Sequence, residues 1–376
     1  MKDYINILRG KFKKYKIDGY VVPKNDDYFT EYSIINRLEI ISNFTGSAGL
    51  AIILKTKNYL FTDGRYKLQS RIESGKTFKI YGFEKLVNCN LFKNLKLGID
   101  PKLFTHTQIK NFFLKNNKIK LINKNLIDEI KKQNKTFNRQ FFSLNKNIVG
   151  ESVDSKITKI SKYLKKNKSD YIFISAPENV AWLLNIRGYD SNFSPIPNCF
   201  LIIDKKMKIF LFCDLKKIKN KLKKTYSFIN ILEIDELENF LKKIKNKNFL
   251  IDRSTCSVFY KNIIDQHNTI VKNTDPIYFL KSQKNNIEIN NTKKVHEYDG
   301  AALTKFLFWV YNNFKKQKIT ELSAQKKLLS FRKKFKRFKF SSFPTISSTG
   351  PNGAIVHYNA SKKTNRVLKK GNIYLV

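Results

Sequence analysis

The chain has 376 residues, more than one hydrophobic core usually holds, so two or three domains are expected. An apolar share of 41% with 14% aromatics excludes wholesale disorder. The balance of 73 Lys and Arg against 30 Asp and Glu gives +43, but the excess is spread along the chain, as in Lys165-Lys166-Asn167-Lys168, Lys242 to Lys247 and Lys333 to Lys339. It reads as solvated surface and not as a dedicated nucleic-acid or membrane-binding face.

In chain order, Ile5, Leu8 and Phe12 repeat at helical spacing, and Gly19 to Pro23 reads as a short buried strand ended by Pro. Strand-like runs follow at Leu50 to Leu54, Tyr59 to Phe61 and Phe78 to Tyr81, with helical stretches at Lys67 to Ile72 and Gln108 to Leu114. From about Val153 the pattern repeats. Leu60-Phe61-Thr62-Asp63 has a counterpart in Leu211-Phe212-Cys213-Asp214, and Leu97-Gly98-Ile99-Asp100 in Phe249-Leu250-Ile251-Asp252. The matching order predicts a duplicated α/β domain.

A third segment opens near Lys281 with a long helical pattern, followed by a helix capped at Thr320. The turn-rich stretch Phe343 to Gly353 leads to Ala354-Ile355-Val356-His357-Tyr358, which reads as a strand. The last residues, Gly371 to Val376, read as a buried strand. A terminus inside such a strand is the expectation for an unfinished domain.

Cys89, Cys199, Cys213 and Cys256 are far apart with no CxxC pair, which argues against a zinc knuckle or disulfide framework and fits a reducing compartment. No run of apolar residues reaches the eighteen or so that a spanning helix needs, so a cytoplasmic protein is expected. His357 stands out because it follows a Gly/Pro-rich turn, where an imidazole can project into a cleft. His106, His267 and His296 have no partners at ligand spacing. Thr45-Gly46-Ser47-Ala48-Gly49 lacks both the P-loop ending and the dinucleotide fingerprint, and reads as a turn permitting close packing. In Thr62-Asp63-Gly64-Arg65-Tyr66, Asp-Gly makes a turn that leaves Arg65 pointing outward. After Asp299 the only acidic residue is Glu321, so the third segment has too few carboxylates for a dinuclear metal site.

Several of these motifs together resemble a known family. Asp18 to Pro23, Ser42 to Gly49 and Phe61 to Tyr66 are similar to the N-terminal domain of the three-domain Xaa-Pro aminopeptidases, creatinase-type pita-bread metallopeptidases. Ala181-Trp182-Leu183-Leu184-Asn185-Ile186-Arg187-Gly188 resembles the signature of their second domain, and Ser342 to Tyr358 the start of their catalytic domain. The resemblance implies two creatinase-N-terminal-like α/β domains, at 1–140 and 150–280, then the beginning of a pita-bread α+β catalytic domain at 281–376. It implies a cytosolic homodimer that releases the N-terminal residue ahead of proline, using two divalent ions, usually Mn²⁺, held by two Asp, one His and two Glu. His357 takes the family's substrate-contacting, intermediate-stabilising role, and Arg65 is a candidate substrate contact reaching across subunits. The five metal ligands have no counterparts in this chain, which on this reading binds no metal by itself. An inactive binding or dimerisation protein of the same ancestry is the alternative.

Overall fold

The computed structural model describes residues 1–31, 33–87, 91–113, 115–132 and 139–376, so Cys89 and Leu114 lie outside the described residues. The chain divides into two compact units, Met1–Gln283 and Lys284–Val376. In the first unit, helix α1 (Lys2–Gly10) precedes a six-stranded sheet made of β1 (Gly19–Pro23), β2 (Gly49–Leu54), β3 (Asn58–Thr62), β4 (Lys79–Gly82), β5 (Lys96–Ile99) and β6 (Lys118–Leu121). Its order is β4-β3-β2-β1-β5-β6. The β1–β2 and β2–β3 pairs are antiparallel, and β1–β5, β5–β6 and β3–β4 are parallel.

The central strands are apolar without interruption because both faces are covered. Tyr20, Val22, Ala51 and Ile53 join Ile5, Leu8 and Phe12 in one core, while Val21, Leu50, Ile52 and Phe61 face Leu97, Phe104 and Phe113 in another. The helix α2 (His106–Phe112) enters through a reciprocal capping box between Thr105 and Gln108, which satisfies backbone donors that a helix start leaves open.

The second half of this unit repeats the design. After α3 (Val153–Lys166) come β7 (Tyr171–Ile174), α4 (Pro177–Leu183), β8 (Cys199–Asp204), β9 (Ile209–Cys213), β10 (Ile229–Glu233), β11 (Asn248–Ile251) and β12 (Thr269–Lys272). The sheet order is β10-β9-β8-β7-β11-β12, with the same parallel and antiparallel senses at corresponding places. The duplication expected from the paired Leu60/Leu211 and Leu97/Phe249 motifs is therefore the architecture of the unit. Helix α5 (Val258–Asp265) joins the two lobes at its first residue. The N–H of Val258 donates to the Phe104 carbonyl at 2.8 Å, Thr105 and Ser257 form an isolated antiparallel bridge, and Tyr28 stacks on Phe200 with ring centroids 4.9 Å apart.

Helix α6 (Pro276–Ser282) closes the first unit. The second unit holds α7 (Asn286–Asn313), capped by Asn285 with Glu288, and α8 (Glu321–Arg332), capped by Thr320 with Ser323. Phe306, Ile319, Ala324, Leu328 and Leu368 form its core. Among the described residues no helix is long and apolar enough to cross a membrane.

Two sequence expectations for this unit are corrected. Ala354 to Tyr358 is not a strand: Gly350–Ala354 forms a 3₁₀ turn started by Pro351, and a bend and turn carry the chain to Tyr358. Pro at that position pre-sets a turn, and the Asn352 side chain is tied into the interior, so Ile355 and Val356 have no strand to pair with. The final run is paired only at Tyr374–Leu375, against Ser348–Thr349, and Ile373 is 86% exposed. A two-residue partner pairs with one edge of this run, and Tyr374 packs against the core beside Phe306 while Ile373, Leu375 and Val376 stay exposed.

Candidate functional site

His357 lies on an exposed turn with φ 57°, in the left-handed region that a residue with a Cβ seldom occupies. The loop from Ser347 to Arg366 that carries it is organised around the carboxylate of Glu321, at the first turn of α8 and fully buried. Oε1 accepts the backbone N–H of Thr349 at 2.8 Å and Nδ2 of Asn352 at 3.1 Å. Oε2 accepts Nδ2 of Asn352 at 3.0 Å, the hydroxyl of Tyr358 at 2.9 Å and the backbone N–H of Arg366 at 3.0 Å. Backbone bonds complete the frame: the Glu321 N–H donates to the Arg366 carbonyl, and the Ser347 hydroxyl donates to the Glu321 carbonyl at 2.7 Å. Burial raises the Tyr358 phenol above its ordinary range, and the adjoining Glu321 carboxylate raises it further. The phenol therefore stays protonated and donates.

Sequence reasoning placed Glu321 on a helix and saw no more in it. The available signal was its isolation as the last acid of a lysine-rich segment, directly after a helix cap. A cavity of about 350 Å³ in the same unit, lined by residues including Trp309, Lys318, Ser323 and Lys327, opens along α7 and α8 and includes no residue of the His357 loop.

Arg65 belongs to the first unit, on the 3₁₀ turn Gly64–Tyr66 after β3. Asp63 caps this turn and holds the guanidinium in a fork, with Nε to Oδ1 at 3.0 Å and Nη2 to Oδ2 at 2.7 Å, while the guanidinium lies 5.2 Å from the Tyr66 ring centre. The Asp63 hydrogen bonds raise the Arg65 pKa above its usual value, and the side chain remains 42% exposed. The neighbouring glycine stretch serves packing: a Cβ on Gly46 would lie 2.2 Å from the Phe44 ring, and one on Gly49 2.9 Å from it. Cys199, Cys213 and Cys256 are buried free thiols, and burial pushes Cys213 and Cys256 up to about 12, out of the range of reactive thiolates.

A dinuclear metal pair does not fit the residues described. No group of three His, Cys, Asp or Glu among them converges as a metal site, and Glu321 has its oxygens committed to hydrogen-bond donors.

Comparison with known proteins covers almost the whole chain. Residues 5–129 and 132–288 each match a creatinase/prolidase N-terminal domain, and residues 290–376 match metallopeptidase family M24. A probable Xaa-Pro aminopeptidase P of Laccaria bicolor is 32% identical over 394 residues, covering 98% of this chain and 61% of that protein. Xaa-Pro aminopeptidase 1 of Dictyostelium discoideum is 31% identical over 399 residues, covering 98% of this chain and 63% of that protein. The chain thus spans somewhat less than two thirds of the length of these relatives. The crystal structure of an X-prolyl aminopeptidase from Caenorhabditis elegans, described as a cytosolic enzyme with a di-nuclear active site, superposes with a TM-score of 0.91. It is 22% identical, with 99% of this chain and 66% of that chain covered, so the likeness is one of fold.

Proposed function

The chain belongs to metallopeptidase family M24, with two creatinase/prolidase N-terminal domains ahead of its M24 segment, and from this we propose that it serves an Xaa-Pro aminopeptidase. The reaction is hydrolysis of the peptide bond between an N-terminal residue and a following proline. The observation that carries this reading is the unbroken order of the three family segments, at 31% and 32% identity to relatives named for that activity. Two divalent ions, Mn²⁺ in the first instance, would be held by residues outside these 376, in the additional length that the relatives have.

Within the chain, the exposed turn at His357 offers an imidazole in an unusual and braced conformation, suited to contacting the scissile carbonyl and stabilising the tetrahedral intermediate. Arg65, held by Asp63 through Nε and Nη2, offers its exposed outer guanidinium edge to the substrate, reaching it from the partner subunit of a homodimer. A cytosolic location is proposed on the likeness to the cytosolic Caenorhabditis elegans enzyme.

The test is release of the first residue from an Xaa-Pro peptide, with an Xaa-Ala peptide as control. It is run with Mn²⁺ on the 376-residue chain and on the same chain extended through its natural downstream reading frame. Activity is expected in the extended protein only. There His357→Ala should lower kcat by about 10²-fold, the scale of losing one stabilising donor, without changing metal content. An extended protein that leaves Xaa-Pro peptides intact would refute the peptidase reading and favour a binding module.

A further inference from the structure

The left-handed turn at His357 needs support, because a non-glycine residue is strained there and persists only where the surrounding structure holds it. Those neighbours share one anchor. On the N-terminal side, Asn352 places Nδ2 against both oxygens of Glu321, at 3.1 and 3.0 Å. On the C-terminal side, Tyr358, the residue directly after His357, places its hydroxyl 2.9 Å from Oε2 of the same carboxylate. Asn352 Nδ2 also donates to the Tyr358 oxygen at 2.8 Å, and the Tyr358 hydroxyl is within 2.9 Å of Thr364 Oγ1, which closes the ring of contacts.

We propose that Glu321 is a positioning residue: by clamping Asn352 and Tyr358 at once, it sets the backbone at His357 and so the direction in which the imidazole is presented. The inference rests on the reading of His357 as the substrate-contacting residue. The chemistry requires an ionised carboxylate. The groups that meet the two oxygens are the N–H of Thr349, the amide of Asn352, the hydroxyl of Tyr358 and the N–H of Arg366, all of which donate. A glutamine at this place would turn its own NH₂ toward donors and leave buried groups unpaired.

The experiment uses the four histidines as probes, on the full chain with labelled imidazole rings observed by NMR. His357→Gln identifies the His357 signal by its loss. Glu321→Gln and the milder Tyr358→Phe, which deletes one hydroxyl, are then compared with the parent. Both should shift or split the His357 resonance while His296, on α7 of the same unit, keeps its position. If Glu321→Gln does not fold, Tyr358→Phe decides alone. A His357 signal unchanged in Tyr358→Phe overturns the proposal. So does a His296 signal that moves as much as that of His357, since the clamp would then only support the unit as a whole. In the extended enzyme, Tyr358→Phe should lower kcat by about tenfold or more with KM changed little, as expected when a reacting group is misaimed and not removed. The two readings fail separately: coupling seen by NMR in a protein whose activity survives His357→Ala would remove the role given to His357 and leave the clamp.

Discussion

Lys217 and Asp190 form an ion pair with almost no solvent around it, the two residues being 8% and 4% exposed. Asp190 also accepts the backbone N–H of Asn198 at 2.7 Å, so its charge is held from two sides. Lys217→Met would leave that carboxylate buried without its cation, and a loss of about 3–5 kcal/mol is expected in urea unfolding. Adding Asp190→Asn to Lys217→Met should recover part of the loss; no recovery would mean that packing and not charge is at stake. Neither this pair nor the Glu321 clamp was legible in the sequence. In a chain with 73 Lys and Arg, nothing local marks the lysine that is buried, and a single glutamate shows its partners only after the loop has folded over it. The turns beside His357 and Arg65 were legible from Gly-Pro-Asn-Gly and Asp-Gly, though the residues following the first of them read as a strand.

At the level of elements, edge strands such as Lys118–Leu121 and Thr269–Lys272 carry exposed polar residues and were not readable, whereas central strands such as Gly19–Pro23 and Gly49–Leu54 were, because they are buried on both faces and stand out against a polar background. Ile355 and Val356 misled for the same reason: an apolar pair reads as strand unless the turn before it is given more weight. Helix α6 carries a pH dependence that sequence could not show. Its cap, Asp275, accepts the Ile277 N–H at 2.9 Å and Asn179 Nδ2 at 2.7 Å. Burial nevertheless pushes its carboxyl up to about 6, ahead of the lowering by these bonds, and the nearby Asp252 adds to the rise. The unfolded chain, with an ordinary carboxyl near 3.8, loses this proton first, so stability falls as pH rises from about 4 to about 6 and is level above. The whole change is about 3 kcal/mol. Asp275→Asn should flatten that part of the profile in urea titrations at successive pH values; an unaltered slope would assign it to other groups.

At the scale of the molecule, the division between Gln283 and Lys284 falls in a short stretch between two helices, α6 ending at Ser282 and α7 starting at Asn286. Brief trypsin treatment should cut after Lys284 and release a resistant fragment of the first unit, readable by mass spectrometry. A fragment that ends instead between the two sheets would show that the lobes separate more readily than the units do. The joint at Phe104, Thr105, Ser257 and Val258 argues that they do not.

That joint, together with the strand order, bears on synthesis. No strand in either six-stranded sheet comes from the other half of the chain, and the first sheet has all its strands once Leu121 has been added. The N-terminal lobe can therefore close on the ribosome while the second lobe is still being translated, keeping its apolar strands covered. Only its rim at Phe104 waits, more than a hundred residues of translation later, for the amide of Val258 to arrive.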